Sequence, residues 1–298
     1  MDNHYFEKLF AGVTKIENPW VNRPSYEEQM KFLRSKENLE ICRSFIAECQ
    51  RLANAAKKYE NQFQTLKDQL SKEIVLEKYS TGGEGLYRGY YCPSPIMDIV
   101  MRNCNRGRLL SRITKRSKPT FKYGFNVDGN LILATNFRYD IDAIGTEIIL
   151  RDGKKETGIS FQEWDGERRL EQLSESIYRD NRIISFINCF YLDYDNSVSI
   201  YNREEYTYSN EGLGTAHMYR FSNHKGTFPI LNHEEYRFKH DNDGYLSQFT
   251  VIEYPGSSMR TEPYWNGCVY DIRLKRKGVN FVAELSEGYP KITKETTP

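Results

Sequence analysis

Phe121-Lys122-Tyr123-Gly124-Phe125-Asn126-Val127-Asp128-Gly129-Asn130-Leu131-Ile132-Leu133-Ala134-Thr135 reads as a β-hairpin. Phe121, Tyr123, Phe125 and Val127 alternate with other residues, as do Leu131, Leu133 and Thr135. Each run therefore sets one row of side chains on one face of a strand. Between the runs, Asp128-Gly129-Asn130 supplies the positive φ of a tight turn. Similar units recur downstream. Arg151-Asp152-Gly153-Lys154 lies between Ile148, Leu150 and Ile159, Phe161, and Trp164-Asp165-Gly166-Glu167 follows. Further units run from Tyr206 to Leu213 and from Tyr236 to Leu246. The glycines at 129, 166, 212 and 244 are 37, 46 and 32 residues apart. That spacing is too irregular for a closed solenoid or propeller, but it suits successive hairpins. The reading predicts a large, twisted antiparallel sheet over residues 119–290, its edges shielded by helix and loops.

Composition agrees. Among 298 residues there are 22 Tyr, 16 Phe and 3 Trp, 14% of the chain, and aromatic rings suit a pleated, half-buried surface. Lys+Arg and Asp+Glu number 42 and 41, so the chain has no global field of the kind that attracts nucleic acid indiscriminately. No run approaches the ~18 apolar residues of a membrane span, and Met1–Phe10 lacks the basic start and apolar stretch of a secretory signal. Cys42, Cys49, Cys92, Cys104, Cys189 and Cys268 are scattered without a Cys-x-x-Cys pair, which fits reduced thiols in a cytoplasmic protein.

Upstream the period changes. Residues 25–81 contain neither Gly nor Pro, and Ser25 with Glu28 forms a capping-box pattern after Pro24. Cys42, Phe45, Cys49, Leu52, Ala56, Tyr59, Phe63, Leu66 and Leu70 recur at alternating spacings of three and four, a helical seam. The expected organisation is α+β: a long helical segment at 1–85, a connecting segment at 86–118, the sheet domain, and a frayed tail at 291–298. The seam serves either a coiled-coil dimer or the helix's own chain. Ala, Cys and Tyr at seam positions make poor dimer contacts, which favours the chain's own sheet and a monomer. The connecting segment carries Arg102, Arg106, Arg108, Arg112, Lys115, Arg116 and Lys118 with no acid between Ile99 and Val127. Contact with phosphate or an acidic partner is one reading. The expected one is a solvated run whose charges meet acids elsewhere in the fold.

The hairpin unit, an aromatic pair, a polar turn ending in Gly, then Leu, resembles the Tyr-Asp repeat of Rhs-type proteins across short windows between 121 and 249. In that family a long array builds a shell around a toxin. The repeats here are few and irregular, so the resemblance implies hairpin architecture and no shell.

Phosphate-loop, nucleophile-elbow, His-Glu-x-x-His and dinucleotide-fingerprint motifs are missing from the sequence. His217, His224, His233 and His240 cluster, but spacings of seven, nine and seven match no familiar metal-ligand set. They read as polar strand residues. Leu86-Tyr87-Arg88-Gly89 resembles the first motif of ADP-ribosyltransferases, whose Arg contacts a dinucleotide. Ser257-Ser258 and Glu284–Glu287 are poor counterparts of that family's other two motifs. From Asp193 to Glu211 the local charge is −4, with Asp193, Asp195, Glu204, Glu205 and Glu211 opposing Arg203. Tyr194, Tyr206 and Tyr208 are interleaved with these acids. Asp193, Tyr194, Asp195, Glu204, Glu205, Tyr206 and Tyr208 are the expected protein-binding residues, because Tyr gives rigid contact area and carboxylates speed docking to a basic partner. The expected function is a non-catalytic protein-binding module without cofactor or metal, such as an immunity protein covering a basic toxin domain. A nucleotide- or metal-using enzyme and a structural or surface-associated sheet protein are the alternatives; membrane and nucleic acid are not expected partners.

Overall fold

The structure, a computed structural model, describes residues 27, 31, 34–83, 87–97, 106–139, 142–192, 197–210, 212–222, 230–242, 246–253, 269–277, 280–283 and 292–293. Among the described residues, the helices α1 (Lys36–Glu60) and α2 (Phe63–Glu73) precede the sheet. Ser35 starts α1: its Oγ accepts from the Asn38 amide at 3.1 Å and its carbonyl accepts from Leu39. The break falls at Asn61–Gln62, where the Gln62 amide donates to the Tyr59 carbonyl at 2.9 Å. Helix α2 stops at Ile74, whose φ of −69° and ψ of 118° are extended.

Here the expectation of one helical segment through residue 85 is corrected. Leu76–Thr81 is strand β1, hydrogen-bonded to β3 (Phe121–Phe125) in the register Leu76↔Phe125 to Ser80↔Phe121. A stretch without Gly or Pro carries no local stop signal. Pairing with a strand some forty residues downstream decides its state, a tertiary override of local preference.

The remaining strands are β2 (Arg108–Leu109), β4 (Leu131–Arg138), β5 (Ala143–Asp152), β6 (Lys155–Trp164), β7 (Glu167–Arg179), β8 (Arg182–Leu192), β9 (Ser197–Ser209), β10 (Gly212–Ser222), β11 (Ile230–His240), β12 (Leu246–Glu253), β13 (Val269–Lys277), β14 (Asn280–Ala283) and β15 (Ile292–Thr293). They form one sheet in which β3 to β15 lie side by side in chain order, followed beyond β3 by β1 and β2. Strand β15 thus occupies part of the tail expected to fray.

Turn chemistry sets this meander. Asp165 and Gly166, with φ of 50° and 74°, are the two central residues between the paired Trp164 and Glu167. Asp180 and Asn181, with φ of 51° and 60°, do the same between Arg179 and Arg182. Two positive φ values are what a two-residue hairpin loop demands, and Gly, Asp and Asn are the residues that accept them.

The chain divides into two compact units, one of Phe45–Met97 with Cys104–Tyr201, the other of Met1–Ser44, Asp98–Asn103 and Asn202–Pro298. In the first, the central strands bury both faces. Ile148, Ile159, Leu173 and Cys189 stand opposite one another across β5–β8, each fully buried. Two residues along, Phe161 meets Phe63 of α2 at a centroid distance of 4.3 Å. Leu52, Ala56, Phe63 and Leu70 of the helical seam are buried, and the Arg51 guanidinium reaches Glu175 on β7 at 2.7 Å. The alternate side chains form the opposite face. Glu147, Ser160 and Gln172 make one row, and Ser174 and Asn188 continue another from Gly158. All five side chains are buried and polar. No helix among the described residues is long and apolar enough to cross a membrane.

Candidate functional site

The polar face is closed by the chain around Arg88. Arg88 adopts left-handed backbone, φ 60°, ahead of the 3-10 turn Gly89–Tyr91. Its carbonyl accepts from the Tyr123 hydroxyl at 3.2 Å, and the Tyr123 hydroxyl oxygen in turn accepts from the Tyr90 amide at 3.1 Å. So held, the side chain points onto β5 and β6. Nε and Nη2 donate to Glu147 at 2.9 and 2.6 Å, and Nη1 donates to Glu156 at 2.5 Å. Glu156 also accepts from Arg151 at 2.8 Å, and the Tyr87 hydroxyl contacts both Glu147 and Ser174.

Two arginines and two glutamates balance. Burial raises the Glu156 pKa, but Arg88 and Arg151 outweigh it and hold the carboxyl below the usual carboxylate range. Burial and the neighbouring Glu147 push the Tyr87 phenol well above its ordinary value. The Arg88 side chain is 3% exposed and all three of its nitrogens face carboxylates. The guanidinium that the ADP-ribosyltransferase resemblance would offer to a dinucleotide is committed to fastening the loop to the sheet. Ser257, Ser258 and Glu284–Glu287 lie outside the described residues.

The acidic, Tyr-rich segment falls on β9 and is split by the strand's two-residue period. Glu204 is 0% and Tyr206 5% exposed, and the Tyr206 hydroxyl donates to the Glu204 carboxylate. The side chains of these two expected contact residues are buried. Tyr208 is half-buried. Glu205 is on the opposite face, bonded to Arg203, each side chain 38% exposed. Asp193, Tyr194, Asp195 and Glu211 lie outside the described residues.

Around Glu205 the strands assemble a patch that spacing along the chain conceals. The β10–β11 register sets Tyr219 opposite His233 and His217 opposite Glu235. His217 Nδ1 and His233 Nε2 share a hydrogen bond at 3.1 Å. The Tyr219 ring stacks on His233 at 4.3 Å and 14°, and the Arg203 guanidinium lies 5.9 Å from the Tyr219 ring centre. Arg237 Nε donates to Glu235 at 2.6 Å. Desolvation, then the neighbouring His217, holds the His233 imidazole below its ordinary pKa. Sequence spacing put these histidines on separate strand positions. The antiparallel β10–β11 register is what brings 217 and 233 together. His224 lies outside the described residues.

The basic run also departs from expectation. Arg106 donates to the carbonyls of Cys92 and Ser94. Arg108, Arg112, Lys115, Arg116 and Lys118 are exposed, and no carboxylate among the described residues pairs with any of them. Arg102 lies outside the described residues.

No protein-family model matches the chain, and no curated protein is detectably similar to it in sequence.

Proposed function

We propose that the chain is a non-catalytic protein-binding module that uses the Arg203, Glu205, His217, Tyr219, His233, Glu235 and Arg237 face of β9–β11. The observation that carries this reading is the stack of Tyr219 on His233, flanked by the pairs Arg203–Glu205 and Glu235–Arg237. Aromatic anchors and arginines dominate binding energy at protein interfaces. Groups fixed on paired strands lose little entropy on docking. With cations and carboxylates alternating, the face fits a partner of mixed charge rather than a purely basic one. An immunity protein that neutralises a toxin by covering it is one instance of this class. Because Leu52, Ala56, Phe63 and Leu70 of the helical seam are buried, the expected outcome of light scattering is a monomer.

The test is capture of a stoichiometric partner by the immobilised chain, compared with Tyr219→Ala combined with Glu205→Lys. Loss of capture with an unchanged circular dichroism spectrum supports the reading. Unaltered capture by the double variant sinks it. So does stabilisation by a dinucleotide that Arg88→Lys removes.

A further inference from the structure

We infer that residues 108–118, with Tyr139, form a binding site for single-stranded nucleic acid, built from none of the residues of the proposed protein-binding face. The loop is built, not merely charged. The Leu110 amide donates to the Tyr79 carbonyl and the Thr120 amide to the Ser80 carbonyl, each at 2.8 Å. Residues 111–119 therefore leave and rejoin the sheet at adjacent positions of β1, the geometry of an Ω-loop. At its base Gly107 has φ 75°, and a Cβ there would meet the Thr81 carbonyl oxygen at 2.5 Å. That contact requires glycine. At its tip Ser117 staples Thr114: the Ser117 amide donates to the Thr114 carbonyl at 3.0 Å and the Thr114 amide to Ser117 Oγ at 2.9 Å.

This fixed loop presents Arg112, Lys115, Arg116 and Lys118, with Arg108 on the adjoining strand, all exposed and without a carboxylate partner among the described residues. The chain's net charge of +1 does not cancel them. Residues 108–118 carry these five cations and no acid, and at physiological salt charges farther off than about 8 Å are screened. Beside it the Tyr139 hydroxyl donates to the Pro119 carbonyl at 3.1 Å, which fixes the ring at the loop's base while leaving the residue 59% exposed. Phosphate-binding cations next to an exposed aromatic ring are the combination by which single strands are held, phosphates on the charges and a base on the ring.

Fluorescence anisotropy with labelled twelve-nucleotide dT and rU strands tests this. Binding is expected to weaken with salt, with a log–log slope of about −3.5 if all five cations engage. Reversing Arg112, Lys115, Arg116 and Lys118 to Glu should weaken it at least ~100-fold while the circular dichroism spectrum stays unchanged. Tyr139→Ala should weaken it ~10-fold or more, and Tyr139→Phe, which keeps the ring, should bind within about twofold of wild type. No binding at low salt, or binding that survives the fourfold reversal, overturns the proposal. Retention on phosphatidylserine vesicles or polyglutamate with no oligonucleotide affinity, or an unchanged affinity in Tyr139→Ala, overturns it as well.

Discussion

Strands β5–β8 present two surfaces that are closed in opposite ways. On one, Ile148, Ile159, Leu173 and Cys189 line up and Phe161 receives Phe63 from α2. On the other, Glu147, Glu156, Gln172, Ser174 and Asn188 are buried as well, and Arg88 is bonded to Glu147 and Glu156. Apolar closure is non-directional and tolerates exchange of similar volumes. Closure by ions and hydrogen bonds is directional, because a partner removed leaves another charge buried and unpaired. The helices are thus held by shape and the loop around Arg88 by identity.

The sharpest way to break this contrast is Arg88→Ala. It strands Glu147 and Glu156 without their fork and should cost about 4 kcal/mol in urea unfolding. Replacing all three together, Arg88→Met with Glu147→Gln and Glu156→Gln, should cost less than the single change. If the triple variant proves the less stable, the polar face is not held by charge compensation. On the apolar face Phe63→Ala should cost about 3 kcal/mol by the same assay, whereas Phe63→Leu should cost under about 1.5. A Leu variant as damaged as the Ala variant would show that this face, too, demands one side chain.

Acid should separate the faces by a smaller margin. Glu156 has its folded-state pKa depressed by Arg88 and Arg151 against the opposing effect of burial. Its contribution is therefore full above the unfolded carboxyl value of about 4.3 and lost as pH falls through the depressed value. Stability measured from pH 6 down to pH 3 should decline, and Glu156→Gln should decline less steeply. An equal slope in the two proteins would remove Glu156 from the account. The smallest effect belongs to Lys67→Ala, which breaks the part-exposed pair with Glu163. Two long, solvated side chains lose as much freedom as they gain in attraction, so the expected loss in thermal unfolding is under about 0.5 kcal/mol.

The sequence made the apolar half of this comparison readable and hid the polar half. The spacing of Leu52, Ala56, Phe63 and Leu70 marks a buried stripe, since helical periodicity is a local property. Asp165-Gly166 marks a hairpin for the same reason, and Asp180-Asn181 carries the same φ demand without the glycine that draws attention to it. Arg88, by contrast, meets carboxylates 59 and 68 residues away. No periodicity announces such a partner. The same limit divides the expected contact residues. Strand alternation alone requires Glu204 and Glu205 to face opposite ways, but which of them turns inward depends on what covers the sheet. His217 and His233 meet through register, a property of two strands rather than one.

The chain-order pairing of β3 to β15 has a consequence for synthesis. Each of these strands finds its partner next to it, so hairpins can close one after another as the polypeptide emerges from the ribosome. The helices cannot close at that pace. Phe63 must wait for Phe161, about a hundred residues later, so the apolar stripe of α1 and α2 is translated first and buried late. For that interval of several seconds the nascent chain displays the surface that most needs a chaperone.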